Sequence, residues 1–199
     1  MSAPDEAFYS EERWENWLDR LREDPPDPED EESARLLLNL QNDVAIAVAK
    51  ILSAHEEGDL DREAAVDELE QIHEIVLADP DIADEDTAML VDGVQTSLVA
   101  VFYTAEQYLA DGVAEEATVE EYVRAAADAE AEEEFDRALG LVAAAGTRVV
   151  DANLADGEDV LDMAVTNELE YGLVIEWVNG LDSLRSALGD PEVIEEEEG

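Results

Sequence analysis

MLVDGVQTSLVAVFYTAEQY, residues 89–108, decides the fold class. Its apolar residues recur at helical spacing rather than alternating with period two. No charge interrupts it between Asp92 and Glu106. A helix that is apolar almost all round belongs inside a larger assembly of helices or inside a membrane. The uncharged run, Gly93 to Ala105, falls short of the ~20 residues a membrane span requires, so the stretch reads as the central helix of a bundle. Asp84 or Asp86 caps its start, it runs to about Ala110, and Gly112 lies beyond its end.

The segments on either side supply amphipathic partners. A third helix starts near Asp61 and ends before Pro80, with Ala65, Leu69, Ile72 and Val76 on its stripe and Ile75 widening it. A second runs from about Ser33 to Glu57. Leu36, Leu37, Leu40, Val44, Ala47, Val48, Ile51 and Leu52 keep its period, and Gly58 is its C-cap. A first helix begins at Ser10, with Trp14, Trp17, Leu18 and Leu21 at i, i+3, i+4 and i+7. Glu11 and Glu12 occupy its first turn, where the helix dipole favours acids. Pro25, Pro26 and Pro28 stop it.

Towards the C-terminus, Thr118 and Glu121 form a capping box. The fifth helix that they open passes through Ala125 and Phe135 to Val150, and Gly140 and Gly146 either break it or let another helix approach closely. A sixth helix spans Glu158 to Leu188, stopped by Gly189 and Pro191. Abundant alanine favours helix throughout. The expectation is an all-α protein: an antiparallel bundle of about six helices. Its parts are an N-terminal amphipathic helix (residues 1–24), an acidic Pro-rich linker (25–32), the bundle (33–189) and a disordered acidic tail (190–199).

The charge is extreme. Of 199 residues, 56 are acidic and 10 basic, a formal net charge of -46. Lys50 is the only lysine; the other basic residues are arginines. Such a charge drives a compact domain apart at low ionic strength. The screening length shrinks from about 10 Å at 0.1 M salt to about 3 Å at 1 M, so molar salt removes the repulsion. Shedding lysine also trims the apolar stem area left on the surface. The 46% hydrophobic content, interleaved with the acids, argues against disorder of the whole chain. The composition points to a high-K+ cytoplasm.

We therefore predict full helicity by circular dichroism in ~2 M KCl and a loss of helicity on dilution below about 0.1 M. Full helicity in salt-free buffer contradicts this reading. An acidic surface is repelled by nucleic acid and by anionic lipid, so neither is expected as a partner. Met1 to Ser10 carries no basic n-region and no apolar h-region, which fits cytoplasmic retention. The absence of cysteine removes disulfides, thiolate metal sites and a cysteine nucleophile.

The sequence carries no Walker-type loop, no Gly-rich turn after a strand and no Gly-x-Ser-x-Gly elbow. Glu70 and His73 make a Glu-x-x-His motif, which in di-iron bundles is one part of a larger set. The only other histidine, His55, has Leu52 three positions before it, so the set is incomplete and a solvated face is the simpler reading. Neither metal nor cofactor is expected, and no catalytic residue is assigned. Asp43, Asp92, Asp151, Glu168 and Glu176 fall in apolar stretches; each is expected at an exposed or bundle-rim position, with Asp151 paired to Arg148 three residues before it.

Two groups remain as candidate sites. Gln95, Ser97, Tyr103 and Thr104, with Thr96, form a polar face on the fourth helix, a weak candidate lining for a small-molecule pocket. The structural reading is preferred: Gly93, Ser97 and Ala100 admit a neighbouring helix, with the hydroxyls bonded back to the backbone. Phe8, Tyr9, Trp14, Trp17, Leu18 and Leu21 concentrate anchors of the kind used in helix-in-groove recognition. Docking on the chain's own bundle, contact with a partner, and exchange between two copies are the three outcomes open to them.

FYSEERWENWLDRL (Phe8 to Leu21), ESARLLLNLQNDVAIAVAKI (Glu32 to Ile51) and MLVDGVQTSLVAVFYTAEQY (Met89 to Tyr108) resemble an uncharacterised family of haloarchaeal proteins, classed as a domain of unknown function. The resemblance covers most of the chain, least in the acidic linker and tail. It implies an archaeal, cytoplasmic, halophilic protein and transfers no activity, cofactor or catalytic residue. The function expected is protein–protein contact, with self-association. The alternative is a small-molecule-binding or enzymatic bundle using the polar face of the fourth helix. A nucleic-acid mimic is disfavoured by the even spread of acids over the helices.

Overall fold

A computed structural model gives the fold and describes residues 7–27, 29–155 and 159–189. The chain is all-helical: α1 (Glu11–Glu23), α2 (Glu31–Glu56), α3 (Arg62–Val76), α4 (Glu85–Asp111), α5 (Val119–Ala131), α6 (Phe135–Ala155), a short 3-10 helix (Met163–Glu168) and α7 (Leu173–Gly189). The capping chemistry explains where most of these begin. Ser10, Asp61, Asp84 and Thr118 each accept a hydrogen bond from the backbone N–H three residues on. Each satisfies a donor that the first helical turn leaves open. Glu121 completes the box by accepting from the Thr118 N–H at 2.8 Å. Helix α2 starts earlier than its apolar period indicates, because Asp30 caps it by accepting from the Ser33 N–H.

The apolar run of α4 has the position its composition demands. It packs against α2 and α3 on one side and α6 and α7 on the other. One apolar cluster joins α1, α2, α3 and most of α4, with Val150, Leu184 and Ala187 reaching in. A second joins α5, α6, α7 and the 3-10 helix, and Ala100 of α4 belongs to it. Two glycines set the closest approaches. A methyl group at Gly180 of α7 would stand 2.1 Å from the Ser97 carbonyl oxygen of α4, and one at Gly146 of α6 would stand 2.2 Å from Thr104 Oγ1. Nothing lies within 4 Å of the same position at Gly93 or Gly140.

Three boundaries differ from the sequence reading. The single fifth helix is two helices, and the break falls at neither glycine: α6 runs unbroken through Gly140 and Gly146. Helix α5 ends instead on a Schellman turn. The Glu134 N–H bonds the Ala129 carbonyl and the Glu133 N–H the Glu130 carbonyl, both at 2.9 Å, with Glu133 left-handed at φ 63. Glycine usually fills that position because a Cβ there is strained. Glu133→Gly is therefore expected to stabilise the chain by about 1 kcal/mol, read from urea unfolding at fixed KCl. The sixth helix is also shorter. Asp162 caps the 3-10 turn by accepting from the Ala164 N–H, and α7 begins only at Leu173. Its first N–H groups are satisfied from outside: the Glu130 carboxylate of α5 accepts from Leu173 N at 2.6 Å and Val174 N at 3.3 Å. A Cβ at Gly172 would stand 2.4 Å from that carboxylate, so glycine makes this cross-helix cap possible. The acidic tail, 190–199, lies outside the described residues.

Helices α2, α4 and α6 are each long and apolar enough, by length and composition, to cross a membrane. Tolerating one or two charges lengthens the window beyond the uninterrupted runs. In the fold, 56%, 50% and 50% of those windows are buried against the rest of the chain.

Candidate functional site

The first helix delivers its aromatic stripe inward. Trp14 is 2% exposed, Leu18 and Leu21 are fully buried, and Tyr9 is buried just before the cap. Phe8 and Trp17 are half-buried against the same cluster. Polar contacts fix the docking. The Asp43 carboxylate of α2 accepts from Arg13 Nε at 2.8 Å, from Arg13 Nη2, and from Trp17 Nε1 at 2.9 Å. At the other end Arg22 donates to the Pro80 carbonyl at 2.6 Å. Tyr9 Oη is buried without a hydrogen-bond partner among the described residues. Burial, and then the Asp43 charge beside it, push the phenol far above its ordinary pKa. Asp43 is thus a correction to the rim placement: it is 8% exposed and orients α1. The carboxylate accepts at both oxygens, which is what makes its burial tolerable. Asp92, Asp151 and Glu168 are exposed and Glu176 is half-buried, as rim positions require.

The polar residues of α4 do not converge. Gln95 closes the end of α3, donating to the carbonyls of Val76 at 2.8 Å and Ala78 at 3.0 Å. Ser97 is buried at the α7 crossing and bonds back to the Gly93 carbonyl at 3.2 Å. Thr104 is buried against Gly146, and Tyr103 points outward at 46% exposed. These four residues face four different surroundings, and the structure does not bring them together. Gln95 caps the end of α3 and Ser97 bonds back to its own helix, while Thr104 Oγ1 is buried with no hydrogen-bond partner among the described residues. Likewise His73 packs edge-to-face on Phe102, 5.2 Å between ring centres, while Glu70 is exposed. No group of three or more His, Asp or Glu able to hold a metal occurs among the described residues.

A groove of about 680 Å³ lies elsewhere, between the start of α5, the middle of α6, the 113–118 turn and the 160–168 segment. Its apolar lining is Val113, Val119, Val160, Val165, Ala152 and Ala164. Its polar lining is more informative. Two of the chain's ten basic residues, Arg124 and Arg148, face it. Arg124 donates to Glu120 at 2.8 Å and to Glu168, tying α5 to the 3-10 turn. Arg148 donates to the Ala114 carbonyl at 3.1 Å and forms no ion pair among the described residues. The i,i+3 pair expected with Asp151 is therefore not formed, although both side chains line the groove. Arg13, Arg22, Arg124, Arg137 and Arg185 pair with carboxylates, whereas Arg148 donates to a backbone carbonyl and lines the groove.

The family comparison bears on the whole of this architecture. A family model described as "Uncharacterized protein conserved in archaea (DUF2150)" matches residues 7–197. The chain belongs to this family. Neither the curated proteins nor the solved structures give a match. The DUF2150 match takes in the docked α1, the α4 crossings and every residue lining the groove. No activity is described for DUF2150, so the site must be read from its own chemistry. The sequence reading missed the groove; the signal that could have found it is the scarcity of basic residues in a chain of charge -46, which makes the position of each arginine informative. Its floor was illegible, because the 160–168 segment was read as part of a continuous helix.

Proposed function

We propose that this protein binds a small organic molecule in the groove formed by α5, α6 and the 160–168 segment. The observation carrying this reading is Arg148, a guanidinium lining a cavity of about 680 Å³ with its one hydrogen bond going to the Ala114 carbonyl. Its volume falls in the range of about 300–1,000 Å³ usual for small-molecule sites. Valines supply apolar walls, and eight of the fourteen lining residues are polar or charged, Arg148 and Asp151 among them. The test is amide-resolved NMR with a mixture of small aliphatic and polar fragments in ~2 M KCl. Shifts gathered on Val113, Val119, Ala152 and Val165 support the reading; fragments that shift other surfaces and leave these four unmoved overturn it.

Self-association is the second reading, favoured by how α1 is held. Its attachment to the rest of the fold runs through side chains, at Asp43, at the Pro80 carbonyl and in the apolar cluster. A second copy offers the same docking surface on α2 and the Pro80 turn, so exchange of α1 keeps every contact and only the connector changes. Sedimentation in ~2 M KCl tests it, and a strict monomer at every concentration ends it. The setting we propose for either activity is a high-potassium cytoplasm, supported by the composition: -46 net charge and one lysine.

A further inference from the structure

We infer that the groove's ligand is a small aliphatic zwitterion of the α-amino-acid type, its carboxylate on Arg148 and its ammonium on Asp151. This rests on the groove being a binding site. Arg148 and Asp151 stand three residues apart on α6, which places their Cβ atoms about 5–6 Å apart on one face. Elsewhere in the chain Arg22, Arg137 and Arg185 each close on the acid three residues before them, whereas Arg148 has its acid three residues after, the less favourable order on a helix. Here the guanidinium turns to the Ala114 carbonyl at 3.1 Å, and no ion pair joins it to Asp151 among the described residues. Both remain on the groove wall. A guanidinium carries five N–H donors in a fixed fork, and a carboxylate is the group that fits the fork bidentately.

The remaining lining narrows the choice. Glu115, Glu120, Asp151, Asp162 and Glu168 make the groove net acidic, so a simple anion gains Arg148 but meets carboxylates around it. A simple cation gains Asp151 but meets the Arg148 guanidinium. A molecule carrying both charges on neighbouring atoms uses both. Arg124 is not available for this, because Glu120 and Glu168 already hold it. Asp162 is engaged in capping the Ala164 N–H at 2.8 Å. Val113, Val119, Val160 and Val165 then offer walls for a branched aliphatic side chain. In molar salt the screening length is about 3 Å, so recognition depends on direct contact of this kind rather than on steering by the net charge.

The test is calorimetric titration of the full chain in ~2 M KCl with three probes of one carbon skeleton: leucine, 4-methylpentanoate and 3-methylbutylamine. Leucine is expected to bind at least about ten-fold more tightly than either single-charge probe. Arg148→Gln is expected to erase leucine's advantage over the amine, and Asp151→Asn, an exposed position, its advantage over the acid. If a single-charge probe binds as tightly as leucine and Arg148→Gln still weakens it, the groove stands as a site and the zwitterion inference falls. If leucine binds and both substitutions leave its affinity unchanged, the ligand lies elsewhere and the groove reading falls too. If none of the three binds, the inference falls alone, since the fragment experiment tests the groove independently.

Discussion

Gly180→Ala is expected to destabilise the chain by about 3 kcal/mol, the upper end of ordinary overpacking costs. The new Cβ would stand 2.1 Å from the Ser97 carbonyl oxygen, 2.9 Å from its carbon and 3.4 Å from Val101 Cγ2. The first two are backbone atoms of a buried helix, so no rotamer change relieves the clash. Restoring an ordinary carbon–oxygen contact of about 3.3 Å means parting α4 and α7 by roughly 1 Å. Both apolar clusters meet along that crossing. In a chain of this size, such a loss lowers the melting temperature by roughly 6–12 °C. Gly93→Ala and Gly140→Ala are the controls. Both positions are helical with open space around the new methyl, and each should gain about 0.5–1 kcal/mol from the poor helix propensity of glycine. Urea unfolding at fixed KCl gives the order. A Gly180→Ala protein as stable as the Gly93→Ala protein would mean the α4–α7 crossing is not as described.

Trp14→Ala is expected to cost about 3–5 kcal/mol, the range for removing a large buried aromatic. Trp14 is 2% exposed and anchors α1 between the Asp43 contact and the buried Leu18 and Leu21. Its loss should be felt first locally. Helix α1 packs less closely on its neighbours than any other long helix, so it is the element that opens at lowest cost when one anchor goes. Hydrogen exchange should show residues 11–23 losing protection while α4 keeps it. Trp17→Phe separates the two contributions. It keeps an aromatic ring on the cluster but removes the Nε1–H bond to Asp43, about 1 kcal/mol, together with part of the indole's packing under Arg20. Trp14→Ala with α1 protection unchanged would show that the helix is held by other means.

The fold was legible where local chemistry sets it. Ser10, Asp61, Asp84 and Thr118 announced their helices because a side-chain acceptor followed by an apolar period has one common use. Gly58 announced the end of α2 by the same logic: it is left-handed at φ 82, with the Asp59 N–H bonding the Ala54 carbonyl at 2.9 Å. The end of α5 is an equivalent turn built on Glu133, and a glutamate among helix formers gives no such signal. The start of α7 was hidden for a related reason, since its cap comes from Glu130, far away in sequence.

Burial of charge was less legible still. Asp43 looks like Asp92 in sequence: each is one acid in an apolar run. Only the fold distinguishes them, by setting Arg13 and Trp17 against the first and solvent against the second. With 56 acids, the position of any one carries little information. The ten basic residues carry more. Gln95, Ser97, Tyr103 and Thr104 were legible as unusual polar residues in an apolar helix, but not as three separate structural duties and one exposed ring.

The account depends most on the groove as an open, ligand-accessible site, and a crystal structure of the full chain grown from molar KCl tests that directly. It should show the Arg148 guanidinium bonded to the Ala114 carbonyl and facing an open groove between Val119, Asp151 and Val165. A groove closed by the 160–168 segment, with Val160 packed on α6 and Arg148 paired to Asp151, would contradict it.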